Sequence, residues 1–315
     1  MLLDPKARNL LTAIAAAGDP PIQLMQAGKA RSLIESRFEQ LRLPLEKVRS
    51  VTDRIIPGPA GDLALRIYTP EGNGPFPVLL FYHGGGWVLF RPKHYDPLCT
   101  HLSAGAGCLV VSVDYRLSPE TRFPGALDDC IASLLWIAGN AEKINGDPSR
   151  IILCGDSAGG NLVAATALRN RDEKGPFLKG QILLYPVTAW YDPPTHSFLE
   201  FADGYSITLD AMKWFWDQYL DRKEQSSDPY AVPIIAPDPG GLPDALIIVA
   251  GCDPLRDEGL QYAERLKQAG VDTVLTNYES MIHGFLSYLG ILDQAKTAIQ
   301  QICSWLDLKF RIPGN

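Results

Sequence analysis

No stretch of this 315-residue sequence approaches the ~20 consecutive apolar residues that a membrane-spanning helix requires. Positive charge is in deficit: 29 Lys plus Arg stand against 36 Asp plus Glu, a net charge of −7. A nucleic-acid partner is therefore disfavoured, and no basic stripe reopens that option. No CxxC pair occurs among the six scattered cysteines (Cys99, Cys108, Cys130, Cys154, Cys252, Cys303). They read as reduced, mostly structural thiols rather than a disulfide framework. Internal repeats and low-complexity tracts are also missing. Lys6 and Arg8 precede the apolar run Leu10 to Ala17, but Asp4, Pro5 and Asn9 spoil the basic region and the run is short for a secretory leader. The start is read as mature protein. The expectation is a soluble, cytoplasmic protein without membrane insertion.

What the chain does contain is a change of rhythm. Leu10 to Ala17 and Ile22 to Leu41 read as two helices, with Leu24, Ala27, Leu33, Ile34, Phe38 and Leu41 at roughly helical spacing and the breaker Gly18-Asp19-Pro20-Pro21 between the two segments. Val48 to Ile56 and Leu63 to Tyr68, around Pro57-Gly58-Pro59-Ala60-Gly61, predict an antiparallel hairpin at a sheet edge. Short continuous apolar runs follow at Val78–Tyr82, Leu109–Val113, Ile151–Cys154, Ile182–Tyr185 and Leu246–Ala250, mostly separated by helical stretches, with a last strand at Thr273–Tyr278. Strands buried on both faces and alternating with helices predict an α/β fold with a parallel sheet. One insertion of about sixty residues after Tyr185 breaks the alternation. It holds the helical stretch Ile207–Leu220 with Trp214, Phe215, Trp216 and Tyr219. These aromatics either pack that helix onto the sheet or, with the N-terminal helices, form a roof beyond the carboxyl ends of the strands.

Gly155-Asp156-Ser157-Ala158-Gly159 lies where the run Ile151–Cys154 passes into a helical stretch. So abrupt a turn strains its central residue and projects its side chain, and flanking glycines avoid a Cβ collision. Ser157 is that residue. A serine attacks only when a base takes its proton, and the oxyanion it generates needs N–H donors. Phe81-Tyr82-His83-Gly84-Gly85-Gly86-Trp87 offers them: three glycines let backbone N–H groups approach without obstruction. A phosphate loop is a poor alternative, because GxGxxG spacing and a following Lys-Ser/Thr are both missing. Gly85, Gly86 and Ala158 are the expected donors, with His83 and Gly84 as loop support. Of five histidines, His283 follows the last strand in Ser280-Met281-Ile282-His283-Gly284-Phe285 and is taken as the base. Asp253, at the end of the preceding strand beside Pro254, is preferred as the acid over Asp257, since Asp257 and Glu258 fall in a first helical turn where acids are ordinary capping residues. Ser157, Asp253, His283 is the chain order of the α/β-hydrolase triad.

The chain resembles the hormone-sensitive-lipase-like α/β-hydrolases, particularly the microbial carboxylesterases. The resemblance rests on YHGGGW (Tyr82–Trp87), DYRLSPE (Asp114–Glu120), FPGALDD (Phe123–Asp129), GDSAGGN (Gly155–Asn161), DPLRDEG (Asp253–Gly259) and HGF (His283–Phe285). It implies the α/β-hydrolase fold: an eight-stranded, mostly parallel sheet with helices on both faces and a helical cap. Residues 1–47 would supply N-terminal cap helices and 188–225 a cap insertion in a catalytic domain spanning 48–315. It further implies hydrolysis of short to medium acyl esters by Ser157, Asp253 and His283, without metal or coenzyme, and a homodimer. Cis bonds at Ser118-Pro119 and Phe123-Pro124 would follow too. Asp114, Arg116 and Glu120 read as a structural charge cluster beneath the site. Two other readings stay open: an amidase or deacetylase on the same groups, and a non-catalytic ligand receptor of the same fold.

Overall fold

The computed structural model describes residues 3–41 and 43–311; the outer limits of the expected segments, 1 and 315, lie outside them. Helix α1 (Pro5–Ala16) starts at Asp4, whose carboxylate accepts the N–H groups of Lys6 and Ala7, and α2 (Ala27–Gln40) follows. Strands β1 (Ser50–Gly58) and β2 (Gly61–Thr69) pair antiparallel, closing between Gly58 and Gly61. The remaining strands are β3 (Phe76–Tyr82), β4 (Leu109–Asp114), β5 (Gly146–Asp156), β6 (Gly180–Leu184), β7 (Ala245–Cys252) and β8 (Thr273–Ile282). They form one eight-stranded sheet in the order β1-β2-β4-β3-β5-β6-β7-β8, antiparallel at β1/β2 and β2/β4 and parallel elsewhere. Both bonds expected to be cis are cis, as are Gly74-Pro75 and Asp192-Pro193.

Every residue of β3 and of β7 is buried, because helices cover both faces of the sheet. Val78, Leu80 and Tyr82 point into a core shared with α4 (Gly125–Asn140), α5 (Ala158–Asp172) and α8 (Arg256–Gln268). Leu79 and Phe81 point the other way, into a core built with α3 (Asp96–Ala106) and α9 (Asp293–Phe310). Between β6 and β7 the insertion carries α6 (His196–Glu200) and α7 (Leu209–Tyr219), each started by a threonine, Thr195 and Thr208, that accepts a backbone N–H.

The N-terminal region departs from its periodicity. Ile22–Leu24 is a single 3-10 turn, Met25 and Gln26 are extended, and the helix begins only at Ala27. Leu24, counted by spacing among the apolar residues of a helix, is 77% exposed, and the chain is not an α-helix there. The two helices also separate. Ala7 of α1 is buried in the core of α3 and α9, whereas Ala27 and Ala30 of α2 join the opposite core, which includes α7.

The tightest backbone approach lies where β5 turns into α5. A Cβ on Gly159 would stand 1.9 Å from the Tyr82 carbonyl oxygen, and one on Gly155 would stand 2.4 Å from the Gly159 oxygen. Neither obstacle is a side chain that can swing aside. Gly159→Ala should therefore destabilise the fold by about 3 kcal/mol or more, read as the shift in a urea midpoint; a loss within the ordinary cost of a surface change would mean the turn can back away from β3.

Candidate active site

The same turn holds Ser157 at φ 54° and ψ −119°, a strained conformation for a residue with a Cβ, and aims its side chain over the carboxyl edge of the sheet. Two other strands end alongside it. Asp253 follows β7, accepts the Leu255 N–H at 2.9 Å on Oδ1, and is fully buried. His283 follows β8, just before Gly284 turns the chain at φ 73°. His283 Nε2 lies 2.9 Å from Ser157 Oγ, and its Nδ1 lies 2.8 Å from Asp253 Oδ2. A carboxylate can only accept, so Nδ1 carries the proton and Nε2 is free to receive one from the serine hydroxyl. Tyr185 packs its ring edgewise against the imidazole at 5.1 Å.

The other histidines stand elsewhere. His94 bonds Glu35, His101 bonds the Pro97 carbonyl, and His196 is paired with Glu200 at the surface. His83 is fully buried, donates Nδ1–H to the Gly84 carbonyl and stacks on Tyr115 at 4.3 Å. Burial holds it neutral by pushing its pKa down to about 3. Tyr115 donates its hydroxyl to the His83 carbonyl, so the pair braces the start of the glycine loop.

Gly85 and Gly86 adopt φ values of +101° and +60°. Among the described residues, neither they nor Ala158 donate their N–H to another group. The glycines are demanded by packing as well as by ligand approach. A Cβ on Gly86 would stand 2.0 Å from the Phe215 ring, and one on Gly85 would stand 2.6 Å from the Leu89 oxygen and from Phe90. The insertion aromatics thus divide. Phe215 covers the loop, while Trp216 and Tyr219 pack on Trp87, Tyr219 stacked at 4.1 Å.

Asp156 links the serine turn to the loop, a role not legible in the sequence. Its Oδ1 accepts the Gly84 N–H at 2.8 Å and its Oδ2 accepts the Tyr95 hydroxyl at 3.0 Å. Burial pushes its carboxyl up to about 6 against those two bonds. Asp257 and Glu258, expected as caps of their own helix, bind the insertion instead. Asp257 accepts the Ser197 N–H at the start of α6, and Glu258 Oε1 accepts the N–H groups of Thr188 and Ala189 after β6. The partners of all three carboxylates lie far off in the chain and are set by the fold. The DYRLSPE charges are likewise not one cluster: Asp114 pairs with Arg91, Arg116 with Asp129 and Glu120 with Arg31. Among the described residues no group of three or more His, Cys, Asp or Glu is arranged to hold a metal ion, and no helix is long and apolar enough to cross a membrane.

A serine, an aspartate and a histidine standing at the ends of β5, β7 and β8 respectively are the arrangement of the α/β-hydrolase class. A family model described as alpha/beta hydrolase fold matches residues 79–287. The chain belongs to that family, in its hormone-sensitive-lipase-like branch. It is 43% identical over 243 residues to the carboxylic ester hydrolase LipN of Mycobacterium tuberculosis, a match covering 75% of this chain and 64% of LipN. It is 38% identical over 270 residues to the esterase LipI of the same organism, covering 84% of each. Among solved structures, a hyperthermophilic esterase from the archaeon Pyrobaculum calidifontis superposes with a TM-score of 0.93 at 38% identity, covering 98% of this chain and 99% of that one.

Burial without a cation pushes the Glu258 carboxyl from an ordinary 4.5 up to about 8. The folded chain then keeps a proton that the unfolded chain releases, so the stability Glu258 contributes is complete below its unfolded value and is lost as pH rises through about 8. Asp156 has the same sign but is exhausted by about 6. Stability, read from urea midpoints, should therefore fall between pH 6 and 8 by up to about 1.4 kcal/mol per unit, and Glu258→Gln should flatten that fall. An equal slope in the variant would show that Glu258 is ionised throughout.

Proposed function

We propose that this chain is a serine carboxylesterase that hydrolyses short to medium acyl esters through an acyl-enzyme. The observation that carries the reading is the relay Ser157 Oγ to His283 Nε2 at 2.9 Å and His283 Nδ1 to Asp253 Oδ2 at 2.8 Å. His283 takes the Ser157 proton on Nε2 as Oγ attacks the ester carbonyl. The N–H groups of Gly85, Gly86 and Ala158 stabilise the oxyanion, Ala158 with the added field of the α5 N-terminus. His283 then returns the proton to the departing alcohol. Water enters, loses a proton to the same nitrogen and attacks the acyl carbonyl; the acid departs as His283 hands that proton to Ser157 Oγ, while Asp253 holds the ring and stabilises its charged form. His83 and Gly84 support the loop.

Residues 1–47 and 188–225 act in this reading as a cap on a catalytic domain spanning 48–315. Phe215, seated on Gly86, is where the insertion meets the chemistry. No metal or coenzyme takes part. The substrate is a small ester rather than a nucleic acid, in keeping with the net charge of −7. A cytoplasmic location accords with six unpaired thiols. A homodimer completes the reading.

Ser157→Ala and His283→Ala should each cost on the order of 10⁶ in kcat, and Asp253→Asn about 10⁴, because the three act as a unit. The measurement is p-nitrophenyl ester turnover over a series of acyl lengths, with the matching p-nitroanilides to separate ester from amide cleavage. Full activity in Asp253→Asn together with a comparable loss in Asp257→Asn would move the acid to Asp257.

A further inference from the structure

The loop carrying Gly85 and Gly86 has two stems, each held by a charged side chain. Asp156 holds the first through the Gly84 N–H. The second stem is held from α2, far back in the chain: Arg31 Nε donates to the Val88 carbonyl at 2.7 Å. The same guanidinium donates Nη2 to the Ser118 carbonyl at 2.7 Å, and the Ser118 N–H in turn donates to the Trp87 carbonyl at 2.9 Å. Glu120 takes its outer edge in a bidentate pair at 2.7 and 2.9 Å. One planar cation thus joins α2, the glycine loop and the connection that follows β4.

We propose that Arg31 is a positioning residue for the oxyanion loop: by fixing Val88 it keeps the Gly85 and Gly86 N–H groups in register with Ser157. The inference rests on the reading of those glycines as oxyanion donors. A run of three glycines has no side chains with which to lock its own conformation, so rigidity must come from the stems. Donors preorganised in this way stabilise developing charge without reorganising, and a misplacement of about 1 Å is costly. An arginine suits the task because its rigid fork meets two carbonyls and a carboxylate at once, which a lysine cannot do. Anchoring α2 does not by itself require Arg31. Glu35 also ties the helix to Lys93 and His94, and Ala27 and Ala30 are buried in the core.

The test compares Arg31→Met, Arg31→Lys and Glu120→Gln with the wild type in p-nitrophenyl butyrate turnover below the unfolding transition, and in amide hydrogen exchange of residues 83–90. Arg31→Met should lower kcat about tenfold or more with KM within about twofold, and should speed exchange in that loop but not in β5. Arg31→Lys should restore part of both. Glu120→Gln, which spares the carbonyl contacts, should keep kcat within about twofold. A folded Arg31→Met with wild-type kcat and wild-type loop exchange would reduce Arg31 to an anchor of α2 and overturn the proposal; should that variant not fold, wild-type values of both in Arg31→Lys would overturn it equally. Faster loop exchange in Arg31→Met, alongside a wild type that turns over no ester, would uphold the positioning and sink the esterase reading instead.

Discussion

The backbone contact between the β5–α5 turn and the end of β3 is the constraint on which the site depends. Gly159 comes so close to the Tyr82 carbonyl that no other residue fits, and the next residues after Tyr82 are the loop of His83, Gly84, Gly85 and Gly86. Ser157 and the N–H groups of Gly85 and Gly86 are thereby set in register by main chain, the stiffest material available. Asp156 adds a hydrogen bond across the same gap, to Gly84. Gly84 must itself be bare, since a Cβ there would stand 2.5 Å from the Asp156 carboxylate. The strain at Ser157 persists because both of its sides are fixed in this way.

Around this contact the molecule places buried polar groups that cost stability. Asp156 and Glu258 are carboxyls pushed up by burial, and each is retained where it accepts N–H groups from a segment carrying the site or its cover. Their partners lie in loops, which have no ladder to satisfy them. Burying an acid is thus the means by which an irregular connection is given one conformation. The aromatic packing of α7 works to the same end with apolar surface. Trp216 and Tyr219 press on Trp87 and Phe215 on Gly86, so the insertion rests on the glycine loop over a broad apolar contact.

Much of this was legible in local sequence. The buried strands announced themselves as continuous apolar runs, and each expected run lies within or overlaps an observed strand, from β3 through β7, while the last expected strand, Thr273–Tyr278, lies within β8. The edge hairpin followed from alternation and from Pro57-Gly58-Pro59-Ala60-Gly61. Ser157 was marked by its glycines, and His283 and Asp253 by their positions after strands. Where local pattern misled, the chain was governed by something other than period. Ile22 to Leu41 has helical spacing, yet its first turn is 3-10 and its helix waits until Ala27.

By itself the sequence determined the alternation of strands and helices, the strained serine turn and the glycine loop, because each follows from the sterics of a few adjacent residues. Only the tertiary structure decided which groups meet across the chain. The order of β4 outside β3, the distances that bring His283 to Ser157 and Asp253, the partners of Asp156, Asp257 and Glu258, and the reach of Arg31 to Val88 all join residues distant in sequence. A hydrogen bond of that kind has no local signature: its donor and acceptor are ordinary residues until packing of the two cores brings them within 3 Å and removes the water that would otherwise serve both.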